Sequence, residues 1–247
     1  MEVTMKVLVL GASGATGKET VMQLLKKGIA TRVLIRESSK LPDEISNNPL
    51  TEIRKGNVHE LTDSDLKTLI HNCDTIISCL GHNLTLKGLF GQPHYLVYDT
   101  VRNICETIQK NENETVKLIL MNTTGYTNKL LSEKRSIIEK VINGLLMICL
   151  PPHRDNMKAA DYLVNKIGRG DVNIEWVSVR PDSLIDSNSV SAYEIHESTI
   201  RSPILNAGKT SRINVGHFMA ELATDEVLWK KWVYQTPVIY NKEGGKI

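Results

Sequence analysis

Short continuous apolar runs alternate along this chain with stretches whose apolar residues recur at helical spacing. Lys6–Leu10 reads as a strand. Residues 16–27 read as a helix with Val21, Leu24 and Leu25 on one face, and Gly28 stands where a helix stop is expected. Residues 31–35 form a second apolar run, so the three elements predict a right-handed parallel crossover. Residues 38–50 are polar, hold Pro42 and Pro49, and read as loop with a turn of helix. A short strand over 51–54 follows, then a helix through Leu66, Leu69 and Ile70 with Asp63 as its cap, then a buried strand over 75–79.

The second half continues the alternation. A glycine-rich loop over 82–94 leads to helical spacing over 95–110 and an apolar strand at Val116–Met121. Ser132 is read as the start of a helix carrying Ile137, Ile138, Val141, Ile142, Leu145 and Leu146, broken by Pro151-Pro152. Residues 153–166 predict a further helix and 174–179 a sixth strand. This order predicts an α/β fold, a doubly wound parallel sheet in one domain spanning 1–247. Residues 187–247 are irregular and are expected to form a small cap on the substrate side. Within them, 217–222 read as helical, 237–240 as a late strand, and Trp229 and Trp232 as core anchors. The tail from Lys242 is expected to fray.

Composition narrows the class. The 41% hydrophobic content of the 247 residues supports a large core, and a net charge of +2 carries no nucleic-acid footprint. The apolar run near 142–150 is too short to cross a bilayer, and the first residues lack the pattern of a secretion signal. Cys73, Cys79, Cys105 and Cys149 lack metal-type spacing, so no metal is expected and a reducing cytosol suits them. The expected setting is cytoplasmic, with a small-molecule substrate, no nucleic acid and no membrane, as monomer or homodimer.

The strand Lys6–Leu10 runs directly into Gly11-Ala12-Ser13-Gly14-Ala15-Thr16-Gly17 and then into a helix. A helix N-terminus carries unpaired N–H groups and partial positive charge, and glycines there admit a pyrophosphate. Gly11 suits the tight turn, Gly14 the close approach of the ligand, and Gly17 the packing of helix on strand. Arg36 follows the second strand, where a carboxylate would select NAD. A guanidinium there fits the 2′-phosphate of NADP, with Lys40 adding charge. NADP is therefore favoured, with NAD as the alternative and Glu37 as its ribose acceptor. Asn57 and Val58, after the third strand, suit an adenine. Leu80 and Gly81 end the fourth strand at the carboxyl edge, where ligands bind such sheets.

The glycine turn, Leu34-Ile35-Arg36, Gly56-Asn57-Val58 and Val179-Arg180-Pro181 together resemble the atypical short-chain dehydrogenase/reductases. The closest branch holds the NAD(P)-binding proteins similar to NmrA and to biliverdin-IXβ (flavin) reductase. The resemblance covers 6–181. It implies a Rossmann-type fold, Thr123 and Thr124 facing the nicotinamide, and Arg180-Pro181 near its carboxamide.

One departure matters. The wider superfamily uses a Tyr-x-x-x-Lys pair, and Tyr162 and Lys166 have that spacing at the wrong offset from Arg180-Pro181. Counting back, the tyrosine's place falls near His153 and the lysine's near Met157 or Lys158. His153 becomes the candidate proton donor, with Thr123 or Thr124 holding the substrate oxygen and Tyr126 as a second candidate donor. The expected activity is hydride transfer from NAD(P)H to a small carbonyl, conjugated or flavin-like acceptor. The alternative is a non-catalytic, NmrA-like redox sensor that binds the dinucleotide.

Overall fold

The computed structural model describes residues 5–82, 91–110, 115–131, 133 and 135–242. Most of the expected loop over 82–94, the expected helix start at Ser132 and the tail after Lys242 lie outside them.

Eight strands make one sheet in the order β3-β2-β1-β4-β5-β6-β10-β8. They are β1 (Lys6–Leu10), β2 (Ala30–Ile35), β3 (Thr51–Lys55), β4 (Thr75–Ser78), β5 (Val116–Met121), β6 (Ile174–Pro181), β8 (Tyr193–His196) and β10 (Val238–Asn241). All neighbours are parallel except β8, which runs antiparallel to β10. The order reverses between β1 and β4, the point where a doubly wound sheet opens a crevice. A two-stranded ribbon, β7 (Ser183–Ile185) with β9 (Lys209–Ser211), lies outside the sheet. The region after 187 thus supplies two strands of the main sheet, the late strand expected at 237–240 as β10 and the unexpected β8, as well as β9.

Strand alternation splits the core into two layers. Val7 and Val9 of β1 point to one face, with Val21 and Leu24 of α1 (Ala15–Lys26) and Phe218 and Leu222 of α7 (Arg212–Thr224). Leu8 and Leu10 point to the other, under α3 (Asp63–Ile70), α4 (Leu96–Gln109) and α6 (Pro151–Asp161). Both faces are covered, which is why the strands read as continuous apolar runs. Trp229 and Trp232, on α8 (Glu226–Trp232), are buried in the first layer, as expected of core anchors.

Local differences have local causes. The turn of helix expected between 38 and 50 is α2 (Asp43–Ser46). The cap of α3 is Thr62, not Asp63: the Thr62 hydroxyl accepts from the Asp65 amide while the Asp65 carboxylate accepts from the Thr62 amide. The same reciprocal box, Ser136 with Glu139, starts α5 (Ile137–Cys149). After α6, Tyr162–Ile167 continues with wider π-type bonding to Gly168. Five apolar residues of α5, Ile137, Ile138, Val141, Leu145 and Ile148, face outward: Ile137 is 81% exposed and Ile148 76%.

Candidate functional site

The turn between β1 and α1 is built from close backbone contacts. Gly11 has φ +75°, and a Cβ there would lie 2.7 Å from the Cys79 carbonyl oxygen of β4's end. A Cβ on Gly17 would lie 2.1 Å from the Gly11 carbonyl oxygen, so α1 seats directly on the turn. Gly14 is the N-cap of α1 and no side chain caps the helix. The first-turn amides of Ala15, Thr16 and Gly17 therefore have no side chain of the cap bonded to them and no acidic residue beside them.

A cleft of about 340 Å³ opens over this turn at the carboxyl ends of β1, β2 and β4. Gly11, Ser13, Gly14, Arg36, Asn57, Val58, Leu80 and Gly81 line it. Thr16 and Gly17 are buried beneath, and Ala15 is exposed at the helix start. Arg36 is exposed at the end of β2, with its guanidinium available to an anion. A phosphate-bearing dinucleotide fits this set. It offers bare helix-terminal N–H groups, a floor no side chain could share, and a cation one strand along.

A second group stands at the end of β5. The Thr123 hydroxyl accepts from the Gly125 amide at 3.2 Å, and a Cβ on Gly125 would lie 2.8 Å from His153 Cε1. His153 Nε2 lies 2.7 Å from the Asn143 side-chain oxygen, an acceptor, so the proton of the neutral ring sits on Nε2. Burial lowers the pKa of His153 from its ordinary value, and the nearby Arg135 charge lowers it further. Thr123, Gly125 and His153 are thus together, although none of them lines the cleft.

Four expected site residues are placed elsewhere. Arg180 turns into the interior: it is fully buried, and both terminal nitrogens hold Glu133 at 2.7 and 3.0 Å. It also donates to the carbonyls of Tyr126, Glu197 and Thr236. A guanidinium with that many internal acceptors is a structural clamp. Pro181 is buried in β6, and its carbonyl accepts from the Thr124 amide. Thr124 turns inward, its hydroxyl donating to Asp182 at 3.2 Å. Tyr126 is in the core with Met157 and Ala160, and burial, then the Asp161 charge, raises its pKa far above the ordinary phenol value. Tyr162 is also packed away, edge-on to Tyr98 and pushed up to about 12 mainly by burial.

One constellation escaped the sequence reading. His82 lines the cleft just after β4, and its Nε2 lies 2.8 Å from Asp155 Oδ2. Asp155 is fully buried, and its carboxylate also accepts from the amides of Val97 and Tyr98 in the first turn of α4. The signal was faint: a histidine after a strand-end glycine, and an aspartate two residues past His153. Helix α6 therefore holds His153 toward β5 and, through Asp155, the cleft wall after β4. Among the described residues no cluster of side chains suits a metal ion, and no helix is long and apolar enough to cross a membrane.

An uncharacterized chloroplastic protein of Arabidopsis thaliana is 32% identical over 78 residues, a match spanning 32% of this chain and 28% of that protein. A wide-type short-chain dehydrogenase/reductase of Veillonella parvula, solved in complex with NADP, is 14% identical and superposes with a TM-score of 0.68 over 97% of this chain and 95% of its own. The anaerobilin reductase ChuY of Escherichia coli is 16% identical, with a TM-score of 0.67 over 98% of this chain and all (100%) of its own. At such identities these two structures show a shared fold. The model of a family described as NAD(P)H-binding matches residues 11–226, most of the chain and every cleft residue except Leu10, and the protein belongs to that family.

Proposed function

We propose that the protein is an NADP(H)-dependent reductase of the atypical short-chain dehydrogenase type, acting on a small carbonyl, conjugated or flavin-like acceptor. The observation that carries this reading is the bare N-terminus of α1 opening on a cleft that Arg36 also lines. In it, the amides of Ser13 and of Ala15 to Gly17 hold the pyrophosphate, Arg36 the 2′-phosphate, and Asn57 and Val58 the adenine. Leu80 and Gly81 border the sugar beyond. The bound coenzyme, when reduced, supplies a hydride.

The chain's own part is to bind, orient and exclude water. Thr123 holds the acceptor's oxygen with its hydroxyl, and His153, its Nε2 proton held by Asn143, stands beside Gly125 and positions that hydroxyl, while the proton that the oxygen takes up is drawn from solvent. Residues 187–247 contribute the substrate side, and the setting is cytoplasmic. The relatives' reductase and dehydrogenase names support the reaction class; they do not supply the acceptor.

Titration with NADPH and NADH, then turnover against flavins, quinones and small carbonyls, tests the reading. Arg36→Ala is expected to weaken NADPH at least tenfold and NADH little, since an arginine–phosphate contact is worth about 1.5–3 kcal/mol. Equal losses would remove the NADP assignment. Tight binding with no consumption across the panel would favour the redox sensor instead.

A further inference from the structure

Helix α5 is placed with its polar side inward. The Glu139 carboxylate accepts from the Ser136 amide at 2.9 Å and from the Ser202 hydroxyl at 2.6 Å. One turn on, the Asn143 side-chain oxygen takes His153 Nε2. The bonds to Ser202 and His153 fix the rotation of the helix, and a turn about its axis that buried the apolar side would break both. What remains outside is a continuous apolar stripe. Ile137, Ile138, Val141, Leu145 and Ile148 are 81, 59, 57, 56 and 76% exposed. Together they leave roughly 500–600 Å² uncovered, at the upper end of what a monomer ordinarily shows and approaching the ~800 Å² that one partner contributes to a standard interface.

We infer that this stripe is the interface of a homodimer in which α5 packs antiparallel on α5 of a second copy. Ile138, Val141, Leu145 and Ile148 are spaced three, four and three residues apart, the spacing of a coiled-coil seam. That spacing reads the same in both directions. An antiparallel copy therefore sets Ile138 against Ile148 of the partner subunit and Val141 against Leu145 of the partner subunit, with every knob used twice, as an isologous two-fold contact requires. Gly144 lies near the middle of this register and lets the two backbones approach. Nearby, Ile200 and Leu205 flank Ser202 and are 53 and 62% exposed, extending the apolar area beside the helix. Charge argues against a lipid surface as the occupant. The helix carries one glutamate and one lysine, Glu139 and Lys140, and Glu139 is buried, so it lacks the basic rim of a membrane-lying helix.

Light scattering coupled to size exclusion, at tens-of-micromolar chain, tests the inference. The wild type is expected at twice the 27.6 kDa chain mass. Val141→Lys and Leu145→Glu, both at exposed positions, are each expected to run at single-chain mass with unchanged far-ultraviolet circular dichroism. Mixed together, the two variants are expected to recover the dimer mass, because the register sets the new lysine against the new glutamate. A wild type at single-chain mass overturns the proposal, whether or not it sediments with phosphatidylcholine vesicles. So does a dimer that survives both substitutions. Single variants that dissociate but do not recover on mixing overturn the antiparallel register.

Discussion

A methyl group on Gly17 would land 2.1 Å from the Gly11 carbonyl oxygen, whereas one on Gly14 meets that oxygen at 3.1 Å and nothing else nearby. The two glycines of one motif therefore answer to different physics. Gly14 has φ −75° and ψ 163°, a conformation open to any residue, so its lack of a side chain serves what approaches from the cleft. Gly17→Ala must push helix from strand and is expected to cost about 1–3 kcal/mol, read as a lower urea midpoint. Gly14→Val should keep the midpoint nearly unchanged and lose dinucleotide affinity at least tenfold by calorimetry. If the two variants behaved alike in both measurements, the division of labour between the glycines would be wrong. Sequence spacing found both positions but could not separate them, because the separation lies in a distance across the turn.

The clamp around Arg180 shows what one element can hide from another. Glu133 precedes α5 in sequence and Arg180 lies on β6, yet their charged atoms meet at 2.7 Å, with side chains 1% and 0% exposed. The segment carrying Glu133 is thereby fastened over the end of the sheet. Glu133→Gln leaves the shape but removes the countercharge from a buried guanidinium, and is expected to cost about 3–5 kcal/mol of stability. A loss below about 1 kcal/mol would mean that water reaches the pair and that the clamp is weak. The strands, the glycine turn and the cleft residues Arg36, Asn57 and Leu80 were legible because each follows from local order: strand, turn, helix. The internal partners of Arg180 were not legible, because a motif places a residue along the chain but does not reveal its partner 47 positions away. The orientation of helix α5 was not legible for a related reason. Its apolar period is plain, but which side faces inward is decided by Glu139, Asn143 and their distant partners Ser202 and His153.

At the scale of the whole molecule, Asp155 ties three elements with one carboxylate. Its Oδ1 takes the amide of Tyr98, and its Oδ2 takes the amide of Val97 and lies 2.8 Å from His82 Nε2. Two of these are first-turn amides of α4, where a negative charge also meets the favourable end of the helix dipole. The third belongs to a residue lining the cleft. Fold and cleft are therefore coupled here, since the group that secures α6 to α4 also sets the wall after β4. Asp155→Ala would leave two buried amides without their acceptor and let that wall relax, at a cost of about 2–4 kcal/mol. Affinity for NADPH and NADH should fall by the same factor, because Arg36 stands on the far side of the cleft and is untouched. A variant that lost stability yet bound both coenzymes as before would show that Asp155 serves packing alone. One that lost NADPH selectively would show that the wall after β4 and the phosphate end are coupled in a way these contacts do not explain.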